Sequence, residues 1–546
     1  MSLVTGSEAD GGVAWSDLEQ HRDQLVDRSL RDLFAADPER GERLAVGVGD
    51  LWVDYSKQPV TDETISLLID LAAQRDVPGF IGRMLSGERV NTTEDRPALH
   101  TALRAPAGTA VMVDGTDVAP VVRETLGRMA DVAKRLRSGR LQGATGRPIS
   151  ALVSLGIGGS HLGPAMATAA LAHLAHPELD IRFASNLDGA EIERALDGLD
   201  PATTLILVCS KTFTTAETMV AAETARAWLV DGVGDDVSTH MAAATAATDL
   251  ATGFGISPEL TFQVPDWVGG RFSLPSAIGL SVMASVGPDA FTEMLAGMGM
   301  VDDHVASSTP DSNGPMLLGL LDVWHRSFLG ASSLAVVPYS SQLGGFPPWL
   351  QQVSMESLGK RTGADGSLVA GQTGPVVWGA AGTDGQHAFF QMLHQGTDVV
   401  PCDLIGFAQP VADPRLAHHD ALMANLFAQT EALAFGLTAD EAAATGVPPD
   451  LVAHRTFPGD RPSTTILAPE LTPSVLGQLV ALYEHRTVVA GAIWGINPFD
   501  QWGVELGKSL SVRIAAELDG DEGRLTHDSS TNSLIRRYLK LRGRSA

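Results

Sequence analysis

Two loops rich in glycine and hydroxyl groups carry the clearest chemistry in the sequence. The first, SLGIGGSHLGP, runs from Ser154 to Pro164. It follows a short apolar run and opens a helix-like stretch. Glycines there let the backbone come close to a ligand, and the free amides of a helix start favour an anion. Gly159 lies in this turn and Ser160 adds a hydroxyl. The second loop, CSKTFTTAET, runs from Cys209 to Thr218 and also follows an apolar run. Ser210, Thr212, Thr214 and Thr215 offer hydroxyls and Lys211 a cation, a set suited to a phosphate monoester. Each loop by itself also reads as an ordinary capped helix start. Two of them at the carboxyl ends of strands in one sheet say more than either alone. The first also approximates a dinucleotide fingerprint through Gly156 and Gly158, but His161 stands where the third glycine belongs.

Four further segments hold groups that could move protons. In DWVGGRFSLPSAIGL, Arg271 follows a glycine pair and could meet a developing oxyanion; it also reads as a structural arginine. In PPWLQQVSMESLGKR, helical spacing puts Gln352 and Glu356 on one face, at i and i+4. A partly buried Glu356 suits a general base, whereas the plainer reading is a surface pair with Lys360. In GTDGQHAFFQMLHQGT, His387 begins a predicted helix and His394 lies two turns on. A histidine there serves as a proton shuttle or as a cap. A zinc site needs more ligands at suitable spacing. His418 and His419 are adjacent, so a helix points them to different sides and they make poor joint ligands. In NPFDQWGVELGKSL, Gln501, Glu505 and Lys508 share a predicted helical face at i, i+4 and i+7, or form a surface ion pair.

The elements that must position these groups follow from rhythm. Residues 1 to 120 read mainly as helices and connections, as in WSDLEQHRDQLVDRSLRDLFAAD. In TDETISLLIDLAAQRDV, Thr61 starts a helix whose first turn holds Asp62 and Glu63, with no strong capping box. From about residue 150, strands (SALVSLGI, DIRFAS, TTLILVCS) alternate with helices. A second round (SSLAVVPYS, PVVWGA, DVVPCDLIGFA, TTILAP) begins near residue 330, after a helical stretch over 275–325. Such alternation predicts parallel sheets covered by helices. The expected organisation is a helical segment at 1–120, an α/β domain with both loops at 121–290, a second at 291–515, and a basic helical tail at 516–546. The two rounds share a rhythm but no obvious repeat.

Composition narrows the function class. The chain has 546 residues, 44% of them hydrophobic, enough for more than one core. Its formal charge of −27 repels nucleic acid and anionic membrane, so an anionic substrate needs a local positive cleft. Apolar runs are short, so no membrane span is expected, and MSLVTGSEADGG lacks the marks of a secretory signal. Only Cys209 and Cys402 occur, which suits buried reduced thiols and a reducing cytosol. Lysine is scarce: Lys57, Lys134, Lys211, Lys360, Lys508 and Lys540 are the full set. Lys134 and Lys540 read as ordinary surface residues.

Taken in order, these segments resemble the phosphoglucose isomerase (glucose-6-phosphate isomerase) family. DWVGGRFSLPSAIGL and GAIWGINPFDQWGVELGK look like that family's two signatures, and GDLWVDYSK, TEDRPALHTALR, MESLGK, GQHAF and ALYEHRTVVAG match in the same order. The likeness runs from about residue 30 to 540. It implies an α/β fold of two SIS-type three-layer αβα sandwich domains with a helical N-terminal segment and a C-terminal helical tail. It implies a cytoplasmic homodimer that converts D-glucose 6-phosphate to D-fructose 6-phosphate reversibly, through a cis-enediolate, in glycolysis and gluconeogenesis.

The same resemblance assigns roles. Ser160, Ser210, Lys211, Thr212 and Thr215 match the family's phosphate contacts, with Gly159 alongside. Glu356 matches the base, Arg271 the group that stabilises the intermediate, and His387, supplied by the partner subunit, the ring-opening histidine. Lys508 matches the lysine at the ring oxygen, and Gln352 and Gln501 match substrate contacts. No hydride moves, so neither nicotinamide nor metal is required. His161, Leu358, Ala380 and Asp384 depart from the family pattern; Ala380, for a glutamate, bears on how His387 is oriented. The alternatives are a related SIS phospho-sugar isomerase, for mannose 6-phosphate for instance, or a non-catalytic sugar-phosphate-binding regulator. Such a regulator has no need for Glu356, His387, Arg271 and Lys508 together.

Overall fold

The computed structural model describes residues 12–412, 416–519 and 525–543. The chain forms two compact units, Met1–Phe499 and Asp500–Ala546. The first holds a hairpin, β1 (Ala45–Val48) and β2 (Leu51–Asp54), and a two-stranded ribbon, β3 (Met112–Val113) and β4 (Thr116–Asp117). Then come β5 (Ala151–Leu155), β6 (Asp180–Ala184), β7 (Thr204–Cys209), β8 (Met241–Thr245) and β9 (Thr261–Gln263). A last group is β10 (Ser333–Pro338), β11 (Val376–Trp378), β12 (Cys402–Phe407) and β13 (Ser463–Ala468).

The strands β5 to β9 make a five-stranded parallel sheet in the order β6-β5-β7-β8-β9. Alternate residues go to opposite faces, as a pleated strand requires. Val153, Leu155, Ile206 and Val208 pack with Ala222, Ala225 and Leu229 of the Ala216–Val233 helix. Leu152, Leu205 and Leu207 face the main core with Met166 and Ala167 of the Gly159–Ala170 helix. Burial on both faces explains why β5 and β7 read as unbroken apolar runs.

The second sheet has the order β1-β2-β13-β12-β10-β11, with β10 to β13 parallel and β2 antiparallel to both β1 and β13. Its faces divide in the same way, with Ala335, Val337 and Leu404 on one side and Val336, Ile405 and Ile466 on the other. Both sheets are therefore the middle layer of an αβα sandwich, and the α/β class expected from the rhythm holds. The hairpin at 45–54 is new: a segment read as helices and connections lends two strands to the second sheet. Each is only four residues long, too short for period-two alternation to stand out. The strand β8, MAAAT, carries no strand signal in its sequence, because alanine has little β preference and burial alone makes it a strand.

The Pro473–Ile493 helix forms the centre of the unit and is buried around almost its whole circumference. Its charged side chains, Glu484 and Arg486, and the Nε2 of His485 are paired, as burial demands, while His485 Nδ1 is buried without a hydrogen-bond partner. Glu484 accepts from Arg104 at 2.6 Å, and His485 Nε2 meets Asp302 at 2.6 Å. Arg486 holds Asp322 in a fork at 2.6 and 2.7 Å and Asp403 at 2.5 Å. At residue 61 the cap is stronger than expected: Thr64, not an acid, closes a capping box with Thr61. Cys209 and Cys402 are both buried free thiols, and burial pushes Cys209 up to about 12.

Candidate active site

In the first sheet the chain leaves β5 for β6 on one side and later returns to β7 on the other. That reversal opens a crevice at the carboxyl ends of β5 and β7, where α/β sheets hold ligands. Both hydroxyl-rich loops lie there. The first turn is built by glycines: Gly158 has φ +59°, and a Cβ on Gly159 would stand 2.0 Å from the carbonyl oxygen of Gly270. Only a bare backbone lets the Gly270–Arg271 peptide pack on this turn, so the turn and the arginine are fixed together. In the second loop, buried Ser210 donates to Thr215 Oγ1 at 3.2 Å, and Thr214 donates to Thr212 Oγ1 at 2.9 Å. Lys211 Nζ donates to the carbonyls of Asp266 and Val268 at 2.8 and 3.0 Å. This ties the second loop to the segment that carries Arg271. Burial pulls the Lys211 ammonium down to about 8.

The proton-moving groups converge on the same place. Arg271 is buried; its Nε donates to Ser357 Oγ at 2.7 Å and its Nη2 to the Pro498 carbonyl at 2.6 Å. Its guanidinium lies 5.4 Å from the ring centre of Phe272, which stacks on His100 at 4.6 Å. Arg271 Nη1 lies 3.4 Å from Glu356 Oε2. Gln352 donates to that same oxygen at 3.0 Å. The Gln352 amide also lies 2.9 Å from where a Cβ on Gly158 would sit, so it spans the space between the cradle and the carboxylate. The expected i, i+4 contact is present, although residues 352–356 form a π-helical turn rather than plain α-helix.

The surface pair of Glu356 with Lys360 does not form. Lys360 Nζ donates to the backbone carbonyls of Glu356 and Ser357, at 3.0 and 2.7 Å, and the Glu356 carboxylate turns to Arg271. Helix-end carbonyls carry partial negative charge and attract a cation. Ser357 was passed over in the sequence; its position next to Glu356 in MES was the available signal. His161 is half-buried, edge-on to Phe183 at 5.8 Å, and held below its usual range by burial.

Other candidates lie elsewhere. His387 ends a short 3-10 turn, Asp384–His387, and is exposed on this chain. His394 is occupied with Gln429 Oε1 at 2.8 Å, which is the bland reading of that histidine. Gln501 and Lys508 belong to the C-terminal unit. The α-helix there starts only at Glu505, after a 3-10 turn over Trp502–Val504, so Gln501 does not share its face. Gly503 in that turn weakens helix propagation. Lys508 pairs with Glu505 at 2.9 Å. His418 and His419, expected on different sides of their helix, line one cavity, because both sit in the first turn facing the end of β12. Among the described residues no group of three or more His, Cys, Asp or Glu could hold a metal, and no helix is long and apolar enough to cross a membrane.

The family model for phosphoglucose isomerase matches residues 54–535. The chain belongs to the phosphoglucose isomerase family. A glucose-6-phosphate isomerase from Deinococcus deserti is 53% identical over 535 residues, covering 97% of this chain and 98% of that one. One from Rhodococcus opacus is 51% identical over 548 residues, covering 99% and 100%. The crystal structure of a glucose-6-phosphate isomerase from Chlamydia trachomatis superposes with a TM-score of 0.86 at 30% identity, covering 99% of this chain and 100% of that one. Phosphoglucose isomerase membership makes this chain an isomerase.

Proposed function

We propose that this isomerase interconverts D-glucose 6-phosphate and D-fructose 6-phosphate in the cytoplasm, as a homodimer, in glycolysis and gluconeogenesis. One observation carries the reading: Glu356 and Arg271 stand 3.4 Å apart, and Gln352 links them to a cradle of backbone amides and hydroxyls. The phosphate sits against Gly159, Ser160, Ser210, Lys211, Thr212 and Thr215. The sugar then extends toward Gln352, Glu356 and Arg271.

The proton on the carbon beside a sugar carbonyl is weakly acidic. Its removal needs a base and a cation for the oxyanion that forms. Glu356 takes the C2 proton of the open-chain aldose and returns it at C1, while the proton of the O2 hydroxyl passes to O1 so that C2 becomes the carbonyl. Arg271 stabilises the cis-enediolate between the two transfers; Ser357 and the Pro498 carbonyl already hold its planar group. Ring opening moves a proton from the anomeric hydroxyl to the ring oxygen, and His387 of the partner subunit and Lys508 serve this step, with Gln501 as a substrate contact.

Glu356→Gln is expected to lose roughly 10²–10⁴-fold in kcat while sugar-phosphate binding survives. A coupled assay with fructose 6-phosphate, run beside mannose 6-phosphate, measures it. Near-normal turnover in the variant removes Glu356 from the role of base. A faster reaction on mannose 6-phosphate moves the substrate assignment.

A further inference from the structure

The second sheet repeats the strand plan of the first. From β10 the chain goes to β11 on one side and then to β12 on the other, as β5 goes to β6 and then β7. The reversal again opens a crevice at the carboxyl ends of the two strands, here β10 and β12. A cavity of ≈ 310 Å³ fills this place, a size suited to a small metabolite. It shares no lining residue with the cradle at β5 and β7.

Its described lining mixes apolar side chains with polar ones that carry no negative charge. Ser340, Ser341 and Gln342 follow β10; Gln409, His418 and His419 follow β12. No carboxylate occurs among the described lining residues, in a chain of formal charge −27. His419 Nε2 donates to the Phe407 carbonyl at 2.9 Å, which anchors its ring at the end of β12. Both histidines belong to the first turn of the 19-residue Ala417–Phe435 helix, whose positive end favours an anion. The Oε1 atom of Gln342 is buried without a hydrogen-bond partner, an acceptor that calls for a donor such as a ligand hydroxyl.

We infer that the crevice at the carboxyl ends of β10 and β12 is a second binding site, for the phosphate monoester of a small polyol. Hydroxyls, amides and imidazoles receive the phosphate, and Gln342 Oε1 receives a hydroxyl of the polyol. The choice of ligand class rests on the reading of the first crevice as a phosphate cradle; the site itself rests on the cavity and its lining.

Equilibrium dialysis with D-glucitol 6-phosphate tests it on the full-length protein. This hexitol phosphate has no carbonyl and cannot be isomerised. Wild type is expected to bind two equivalents per chain. Gln409→Glu, a near-isosteric change on an exposed side chain, and Ser340→Asp each put a carboxylate in the second crevice. Each should weaken one equivalent about tenfold or more, the effect of one like-charge contact, with kcat for fructose 6-phosphate unchanged. Ser210→Asp should remove the other equivalent only. If both crevice variants leave the bound equivalents as in wild type, or if wild type binds none, the second site is overturned. If Ser210→Asp removes nothing while Gln409→Glu weakens one equivalent, the second site stands and the phosphate role of the first crevice fails.

Discussion

Arg271 shows how a buried charge is made useful. A guanidinium out of water must have its donors met, and here Ser357 and the Pro498 carbonyl meet two of them while Nη1 remains directed to Glu356 at 3.4 Å. Ser357 is itself fully buried, so its hydroxyl has little other reason to be there. Ser357→Ala leaves the Arg271 Nε donor without that acceptor, which should cost about 1–3 kcal/mol of stability. Loss of this one contact should also lower kcat more than it raises KM. Urea unfolding and steady-state kinetics check both parts. Unchanged kcat would leave Ser357 with a packing role alone.

At the scale of elements, the two hydroxyl-rich loops are held by what they touch rather than by their own propensities. The Lys211 ammonium bridges the second loop to the carbonyls of Asp266 and Val268 and is pulled down to about 8. In the free enzyme it therefore loses its proton as pH rises through about 8, and a neutral amine attracts a phosphate dianion less. The expected result is a fall in kcat/KM above about pH 8, because that ratio reports groups of the free enzyme. Lys211→Arg keeps its charge throughout, so that alkaline arm should disappear from its profile. An arm that persists in the variant would belong to another group. The strand-to-helix order around these loops was legible in the sequence, since strands buried on both faces must be apolar along their length. The hairpin at 45–54 and the alanine-rich β8 were not, because only neighbouring strands make them strands.

At the scale of the molecule, buried titratable groups set the acid limit. His325 is fully enclosed, bonded to Gln58 Oε1 at 2.6 Å, and pulled by burial from 6.5 to about 3. The unfolded chain takes up this proton near its ordinary value, whereas the folded chain refuses it until about pH 3. Stability from this group is therefore full above the ordinary value and is lost as pH falls, at about 1.4 kcal/mol per unit. Denaturant titrations at pH 7 and pH 5 should show a steeper acid loss in wild type than in His325→Gln. Equal slopes would mean that His325 takes its proton in the folded state. The proposed dimer makes a different prediction. His387 is exposed on its own chain, and in the proposed dimer it serves the site of the partner. Chains carrying Glu356→Gln and chains carrying His387→Ala, each nearly inactive, should regain part of the activity after unfolding and refolding together. One of the two sites in a mixed dimer then holds both wild-type groups. No recovery would place His387 and Glu356 of one chain in the same site.

The sequence by itself determined the α/β class, the alternation of strands and helices around the two loops, and the identity of the chemical groups. Apolar periodicity and short motifs are local properties, written within a few residues of one another. It left Glu356 divided between a base and a surface pair with Lys360, and Arg271 divided between an oxyanion partner and a structural arginine. Only tertiary structure decided where these side chains are held, because their partners are distant in the chain: Gly159 against Gly270, Arg271 against Ser357 and Pro498, Lys211 against Asp266 and Val268. The same holds for the crevice beyond β10 and β12. Its six polar groups lie in two runs some seventy residues apart, and only the reversal of strand order brings those runs to one cavity.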